Sequence, residues 1–362
     1  MCAKSATMRD IAKAANVSQS TVSMILNGKS ASFPSATIER VLNTAAAMNY
    51  SYRKPAQPAR SRTVLVITVQ YTNPYYANMH QGIDRAAKKE DISIISACTY
   101  HDPETEAQLL KMAVDSKCLG VIFLYPPDNE EAFRKAQAHV PIVTICDRSS
   151  NVGGDIVELN NFHAGVLAAR HLLDLGHVNI AVLTHSSDRS TTSRATRVAG
   201  ILSEIKQILP EDHLLLLTGN NSKTGYLSEN SFHYHVGYSL AQSKKLYQGN
   251  ITGLICVNDM LAYGVMDALI EKGYRIPEDF SVIGSDNLLF SNISGVSLTT
   301  IEHYPDLVAQ SALNTLLNRV RLSNATMAAA RFQVQCQPSL LVRGSTGPVR
   351  TQPLQPPRTE EE

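Results

Sequence analysis

Residues 7–27 read TMRDIAKAANVSQSTVSMILN, and the rest of the chain is best understood from them. Met8, Ile11, Ala12 and Ala15 recur at the spacing that lines one face of a helix. Asn16-Val17-Ser18 interrupts that pattern. Val22, Ile25 and Leu26 resume it, with Ser18 placed to cap the second run. After Pro34-Ser35, a third amphipathic run follows in Ile38, Val41, Leu42 and Ala45. The spacing predicts helices over about Arg9–Ala15 and Gln19–Leu26, a tight turn between them, and a third helix on the same apolar seam. This is the layout of a helix-turn-helix DNA reader. Periodicity alone fits any small three-helix bundle equally well.

Charge adds to the first reading, and the residue identities separate the two. Residues 1–62 hold nine Lys/Arg against two Asp/Glu, about +7, while the remainder holds 24 against 30. A basic head on a mildly acidic body is built to meet a polyanion. A length of 362 residues predicts two or three domains. The six cysteines, Cys2, Cys98, Cys118, Cys146, Cys256 and Cys336, include no C-x-x-C pair and read as reduced thiols. With neither a signal core nor an apolar run long enough to span a bilayer, a soluble cytoplasmic protein without membrane attachment is expected.

The identities in residues 7–27 narrow the reading further. Thr7, Asp10, Ile11, Ala12, Ala15, Val17, Ser18, Thr21, Val22, Ser23, Leu26 and Asn27 stand at fixed spacing. In them the stretch closely resembles the DNA-binding domain of the LacI/GalR family of bacterial repressors. The resemblance implies that Gln19 and Ser20, at the start of the second helix, contact base edges; Gln can pair with adenine through two hydrogen bonds. Met24 stands where the family commonly has Arg and cannot grip guanine, so the operator should differ at that base contact. Thr7, Ser18, Ser23 and Asn27 are assigned to phosphate contacts or helix caps. Asn16 replaces the usual turn Gly, and Asn tolerates the left-handed conformation such a turn needs.

Residues 50–63, YSYRKPAQPARSRT, form a basic linker. The family often folds this region into a hinge helix on DNA. Pro55 and Pro58 oppose that here, and Ala59 falls near the expected wedging Leu. Arg53, Lys54, Arg60 and Arg62 are expected to contact DNA instead.

From Thr63, short β-branched runs alternate with amphipathic helical runs, in two series. The fold class is therefore α/β: a three-helix head and two doubly wound Rossmann-like lobes. NPYY at 73–76, PIVTICDR at 141–148, RVAG at 197–200, VNDMLAYG at 257–264 and IPEDFSVIGSDN at 276–287 extend the resemblance to about residue 348. They imply a periplasmic-binding-protein-like core. The domains expected are the head at 1–50, the linker at 51–62, an effector and dimerisation core at 63–345, and a disordered tail at 346–362. Lobe 1 would take about 63–160 and 289–320, lobe 2 about 161–288 and 321–345, with crossings near Asn160, Leu288 and Arg321.

Two such lobes leave a cleft at the carboxyl ends of their strands. A sugar there needs aromatic faces and paired polar groups. Tyr75, Tyr76, Asp147, Arg148, Arg197, Asn258 and Asp286 map to the family's effector positions. Asp147 and Arg148 can equally pair with each other or with a partner subunit, and Asp259 reads as a helix cap. Phe232-His233-Tyr234-His235 reads as a solvated loop rather than a metal site. The resemblance implies a transcriptional regulator, a repressor, whose affinity for double-stranded operator DNA is controlled by a small-molecule effector, a sugar or sugar derivative. It would act as a homodimer. The alternative is a small-molecule-binding protein with no role at a gene. Neither a cofactor nor a metal is expected, and the absence of G-x-G-x-x-G, P-loop and G-x-S-x-G motifs argues against an enzyme.

Overall fold

The computed structural model describes residues 6–26, 33–48, 50, 61–146, 153–185, 193–219, 232–248, 250–322 and 330–354. It divides into two units, residues 1–61 and 62–362.

The first unit is the head. Helices α1 (Met8–Ala14), α2 (Gln19–Leu26) and α3 (Ser35–Ala47) bury Ile11, Ala15, Val22, Ile25, Leu26, Val41 and Ala45 together. Thr7 and Asp10 cap α1 reciprocally, satisfying two of its otherwise unpaired N–H groups. Arg40 of α3 donates from Nε to Ala15 O at 3.0 Å, closing the other end.

In the second unit, lobe 1 is a six-stranded sheet in the order β11-β5-β4-β3-β1-β2. Its strands are β1 (Thr63–Thr68), β2 (Ser93–Cys98), β3 (Gly120–Phe123), β4 (Ile142–Cys146), β5 (Asp155–Leu159) and β11 (Gln333–Cys336), and every pairing is parallel. Strand alternation divides the core in two. Val64 and Val66 face α4 (Pro74–Lys89) and a late helix over Pro305–Arg321. Leu65 and Ile67 face α5 (Pro103–Asp115) and α6 (Glu130–Gln137).

Lobe 2 repeats the plan with β6 (Ile180–His185), β7 (Leu214–Gly219), β8 (Gly253–Cys256) and β9 (Ser281–Ile283), parallel in the order β7-β6-β8-β9. Helices α7 (Asn161–Asp174) and α8 (Ser193–Ile208) cover one face. The other is covered by α9 (Phe232–Ala241), α10 (Lys245–Gln248) and α11 (Asp259–Glu271). An antiparallel ribbon, β10 (Thr300–Glu302) with β12 (Ser339–Leu341), flanks the lobe, and α12 (Pro305–Arg321) returns to lobe 1.

Glycines let the lobe 2 helices touch backbone to backbone. A Cβ on Gly165 of α7 would lie 2.0 Å from Arg197 O, and one on Gly200 of α8 would lie 2.0 Å from Phe162 O. Gly237 and Gly264 play the same part between α9 and α11.

Two sequence expectations need correction. The chain crosses between lobes after Leu159, near His303 and near Gln337, not near 288 and 321. Residues 288–300 stay in lobe 2 because the buried Asp259 carboxylate holds them. It accepts from Leu288 N at 2.8 Å, Ser291 Oγ at 2.6 Å and Thr300 Oγ1 at 2.5 Å. Residues 333–336 are the edge strand of lobe 1, paired with β5. The tail is the second correction. Through Leu354 it lies on lobe 2: Val349 N donates to Leu175 O at 3.1 Å, and Gly347 O meets His177 Nε2 at 3.0 Å. His177, buried between Gly347 and Thr252, is held below the ordinary histidine pKa by burial, so it is a neutral bridge.

Candidate DNA-binding head and ligand cleft

In the head, the turn between α1 and α2 is left-handed at Asn16, with φ of 53°, the conformation the sequence required of it. Ser18 Oγ accepts from Thr21 N at 3.0 Å and lies 2.7 Å from Ser20 Oγ, so Ser18 is the cap of α2. Gln19 and Ser20 are exposed at the first turn of α2, and Met24 is 39% exposed one turn on; Ser23 is half-buried. Asn27, Arg53, Lys54, Arg60 and the proline-containing linker fall outside the described residues. Arg62 is described and departs from its expected part. Its guanidinium donates to Asp91 O at 2.8 Å and to Glu90 O, at the carbonyl-rich end of α4.

The cleft forms where each sheet reverses its strand order, between β1 and β3 in lobe 1 and between β6 and β8 in lobe 2. Residues just beyond these strand ends line a cavity of about 130 Å³. Asn73, Tyr75 and Tyr76 follow β1, and Tyr125 follows β3. Arg194 and Arg197 open α8, Asn258 follows β8 and Asp286 follows β9. Five of the residues read from the sequence, Tyr75, Tyr76, Arg197, Asn258 and Asp286, thus share one cavity. Asp147 and Arg148 lie outside the described residues.

Local chemistry positions each wall. Asn73 caps α4 through Tyr75 N at 3.0 Å, and Tyr75 and Tyr76 meet edge to face with centroids 5.4 Å apart. Tyr125 OH donates to the buried Glu106 at 2.9 Å. Glu106 also takes the N–H groups of Asp128 and Asn129, fixing the loop beyond β3. His101, in a left-handed turn with φ of 60°, bonds Asp128 at 2.8 Å and lays its ring edge on Tyr125. Across the cleft, Asn258 caps α11 through Leu261 N at 2.8 Å and reaches His233 Nδ1 at 3.3 Å. Phe232–His235 therefore begins a helix instead of a solvated loop: His233 is buried, stacked on His185 with centroids 4.6 Å apart. Burial pushes His233 down to about 3, so it is neutral.

The floor is a buried polar cluster. Arg197 lies 3.7 Å from Asp286, whose backbone is forced to φ of 132°, with Asn287 at 47°. Strained backbone of this kind persists where surrounding structure over-determines it, commonly at ligand sites. Burial pushes the Asp286 carboxyl up to about 8, against the lowering pull of Arg197. A carboxyl raised in the folded state binds a proton that the unfolded chain has released. Its contribution is therefore favourable at low pH and lost as pH rises from the ordinary carboxylate range through about 8. Asp286→Asn should accordingly gain melting temperature relative to the parent as pH rises from 5 to 9. Calorimetry showing a gap independent of pH would contradict this.

Asn73, His101, Tyr125, Asn161, Arg194 and His233 also line the cleft; none was assigned to the effector, although Asn73 stands in NPYY and His233 in the run read as a solvated loop. Arg194, one turn before Arg197, was the most visible of them. Asn161 follows β5, a strand whose two acids hid it.

The head and the cleft together define a class: DNA-binding regulators carrying a periplasmic-binding-protein-like core. Residues 7–52 match the model of bacterial regulatory proteins of the lacI family, and residues 169–346 match a periplasmic binding protein-like domain. The HTH-type transcriptional repressor PurR of Mannheimia succiniciproducens is 31% identical over 350 residues, covering 94% of this chain and 98% of its own. The regulator DegA of Bacillus subtilis is 28% identical, covering 95% and 99%. Among solved structures, a LacI family regulator from Enterococcus faecium with bound ribose is 27% identical, with a TM-score of 0.65. It covers 80% of this chain and 100% of its own. The lac repressor dimer bound to operator shares the fold at 23% identity and a TM-score of 0.64, covering 95% and 100%. The chain belongs to the LacI family of bacterial transcriptional regulators. It is a DNA-binding regulator, not an enzyme. No helix among the described residues is long and apolar enough to cross a membrane.

Proposed function

We propose that this regulator is a cytoplasmic homodimeric repressor whose grip on operator DNA is set by a small effector in the cleft, a monosaccharide or a close derivative. The observation that carries the reading is the cleft's division of labour. Tyr75, Tyr76 and Tyr125 offer aromatic faces from lobe 1, while Asn258, Asp286 and Arg194 offer polar groups from lobe 2. Ring faces and hydroxyls need both. A volume near 130 Å³ is well below the ~300 Å³ of a drug-sized site, which favours a single ring. The Enterococcus faecium relative with ribose bound supports the same class.

On DNA, Gln19 and Ser20 read bases from the exposed start of α2, and Met24 leaves its base contact apolar. Thr7, Ser18, Ser23 and Asn27 orient the head on phosphates, and Arg53, Lys54 and Arg60 follow the backbone from the linker. Two heads in a dimer require a pseudo-palindromic site.

Selection of bound sequences from random DNA, at one stated salt concentration, tests the first half. A palindrome is expected, and Gln19→Ala should relax one base in each half-site, where a bidentate contact carries about 1–3 kcal/mol. Sequence-blind binding would refute it. Thermal shift with D-ribose, D-glucose, their phosphates and hypoxanthine tests the second. Asp286→Ala should erase the shift while operator binding persists; binding of the purine base alone would move the effector out of the sugar class.

A further inference from the structure

The lobes are joined at three crossings, and side chains link these to one another. Asn160 Nδ2 donates to Gln337 Oε1 at 3.0 Å, tying the first crossing to the third. Tyr304 OH lies 2.8 Å from Ser339 Oγ, tying the second to the third. The remaining link passes through Arg197. Its Nε and Nη2 donate to Asn161 Oδ1 at 3.1 and 2.6 Å, and Nη2 shares His303 Nε2, 3.3 Å away, with Ser285 Oγ at 3.0 Å. Asn161 is the first residue of α7, directly after the first crossing, and His303 stands in the second, between β10 and α12.

Arg197 also donates from Nη1 to Val257 O and faces Asp286. Arg197 belongs to the cleft, and so do Asn161 and Asp286. The other two links are on the outside: Asn160, Gln337 and Tyr304 make exposed bonds. A guanidinium is a rigid planar fork, so turning it toward a group in the cleft moves several of its bonds together.

We propose that Arg197, anchored by Asn161 and His303, is the coupling group of this regulator, a positioning residue that transmits occupancy of the cleft to two interlobe crossings at once. Its biological meaning rests on reading the cleft as the effector site. Its physical content does not, because the link between crossings exists without a ligand. Allosteric control requires such an element, one whose equilibrium both sites bias.

Hydrogen exchange followed by mass spectrometry on the full chain tests the link directly. Asn161→Ala removes the acceptor at the first crossing. Exchange at 302–306 in the second crossing is expected to quicken by roughly tenfold or more, the scale of a lost bond to a charged group. Asn161→Asp, which keeps an acceptor oxygen, should restore parental exchange there. His303→Leu, which removes the acceptor at the second crossing, should act in reverse and quicken exchange at 160–165. A purely local packing role predicts loosening only beside the substituted residue. If Asn161→Ala leaves 302–306 unchanged, the proposal fails, whatever happens at 160–165. Should that variant not fold, His303→Leu decides, and parental exchange at 160–165 overturns the proposal. Either failure leaves the effector reading standing, since no effector enters the experiment.

Discussion

Gly165→Ala should destabilise the 62–362 unit by about 3 kcal/mol, measured by urea denaturation. The sign is informative, because replacing Gly by Ala within a helix ordinarily stabilises it by about 1 kcal/mol. Here the new methyl would sit 2.0 Å from Arg197 O and 2.8 Å from Ile201 N. Both are backbone atoms of α8, so no side chain can swing aside; the helices must separate. Separation opens the packing of Ala164, Ala168 and Ile201 and draws Arg197 from its partners. Gly295→Ala is the control: nothing lies within 4 Å of a Cβ there, and a change within about 0.5 kcal/mol is expected. Equal stability of Gly165→Ala and the parent would mean that α7 and α8 can part at this contact without cost.

Asp259→Ala should cost about 4 kcal/mol, and for a different reason. One buried carboxylate serves three donors: the Leu288 N–H, the Ser291 hydroxyl and the Thr300 hydroxyl. Burial raises its pKa, and those three bonds and Arg197 pull against the rise. Truncation strands the Leu288 N–H and the Thr300 hydroxyl, while the Ser291 hydroxyl can still turn to Tyr263 OH, 2.7 Å away. A buried donor left unpaired costs about 1–3 kcal/mol, and the three are not additive because the loop can shift. Asp259→Asn retains one acceptor oxygen and should lose about half as much. A loss below about 1 kcal/mol for the alanine variant would show that solvent reaches these donors.

The head was the most legible part of the chain. Its three helices are short, locally capped and sealed by residues at regular spacing, so little depends on distant sequence. The lobe strands β1, β4, β6 and β8 were legible for a related reason, since sheets covered on both faces demand continuous apolar runs. β5 and β11 escaped because they carry polar residues whose partners are remote. Asp155 of β5 is held by Arg319 at 2.7 Å, and no local pattern announces a pairing 164 residues apart. The second crossing was misplaced because Leu288–Ile301, uncharged and loop-like, shows no sign that Asp259 pins it. In the cleft, Tyr75, Tyr76, Arg197, Asn258 and Asp286 stand at or just beyond strand ends, where motif and geometry coincide. His101, Tyr125 and His233 depend on how loops and a late helix settle. His233 in particular owes its burial to His185, at the end of a strand 48 residues earlier.

The three crossings also bear on how the chain is made. Lobe 1 begins at Thr63, yet its core includes Val308, Ala309, Ala312, Leu313 and Leu316 of α12, and Cys336 of β11. Those residues leave the ribosome only after nearly all of lobe 2, which lies in one run from Asn161 to Glu302 and lacks only β12 and the tail. Domains generally fold as they emerge, N-terminal parts first. This chain departs from that sequence: the lobe begun first is completed only after nearly all of the second has been made. Through most of translation α4 alone covers the face carrying Val64, Val66, Ile122 and Val143, and its β3–β5 side waits for α12. For the nascent protein, the hazardous interval is thus the wait for residues 305–336, and a chaperone that shields that face should matter more to yield than any stabilisation of the finished fold.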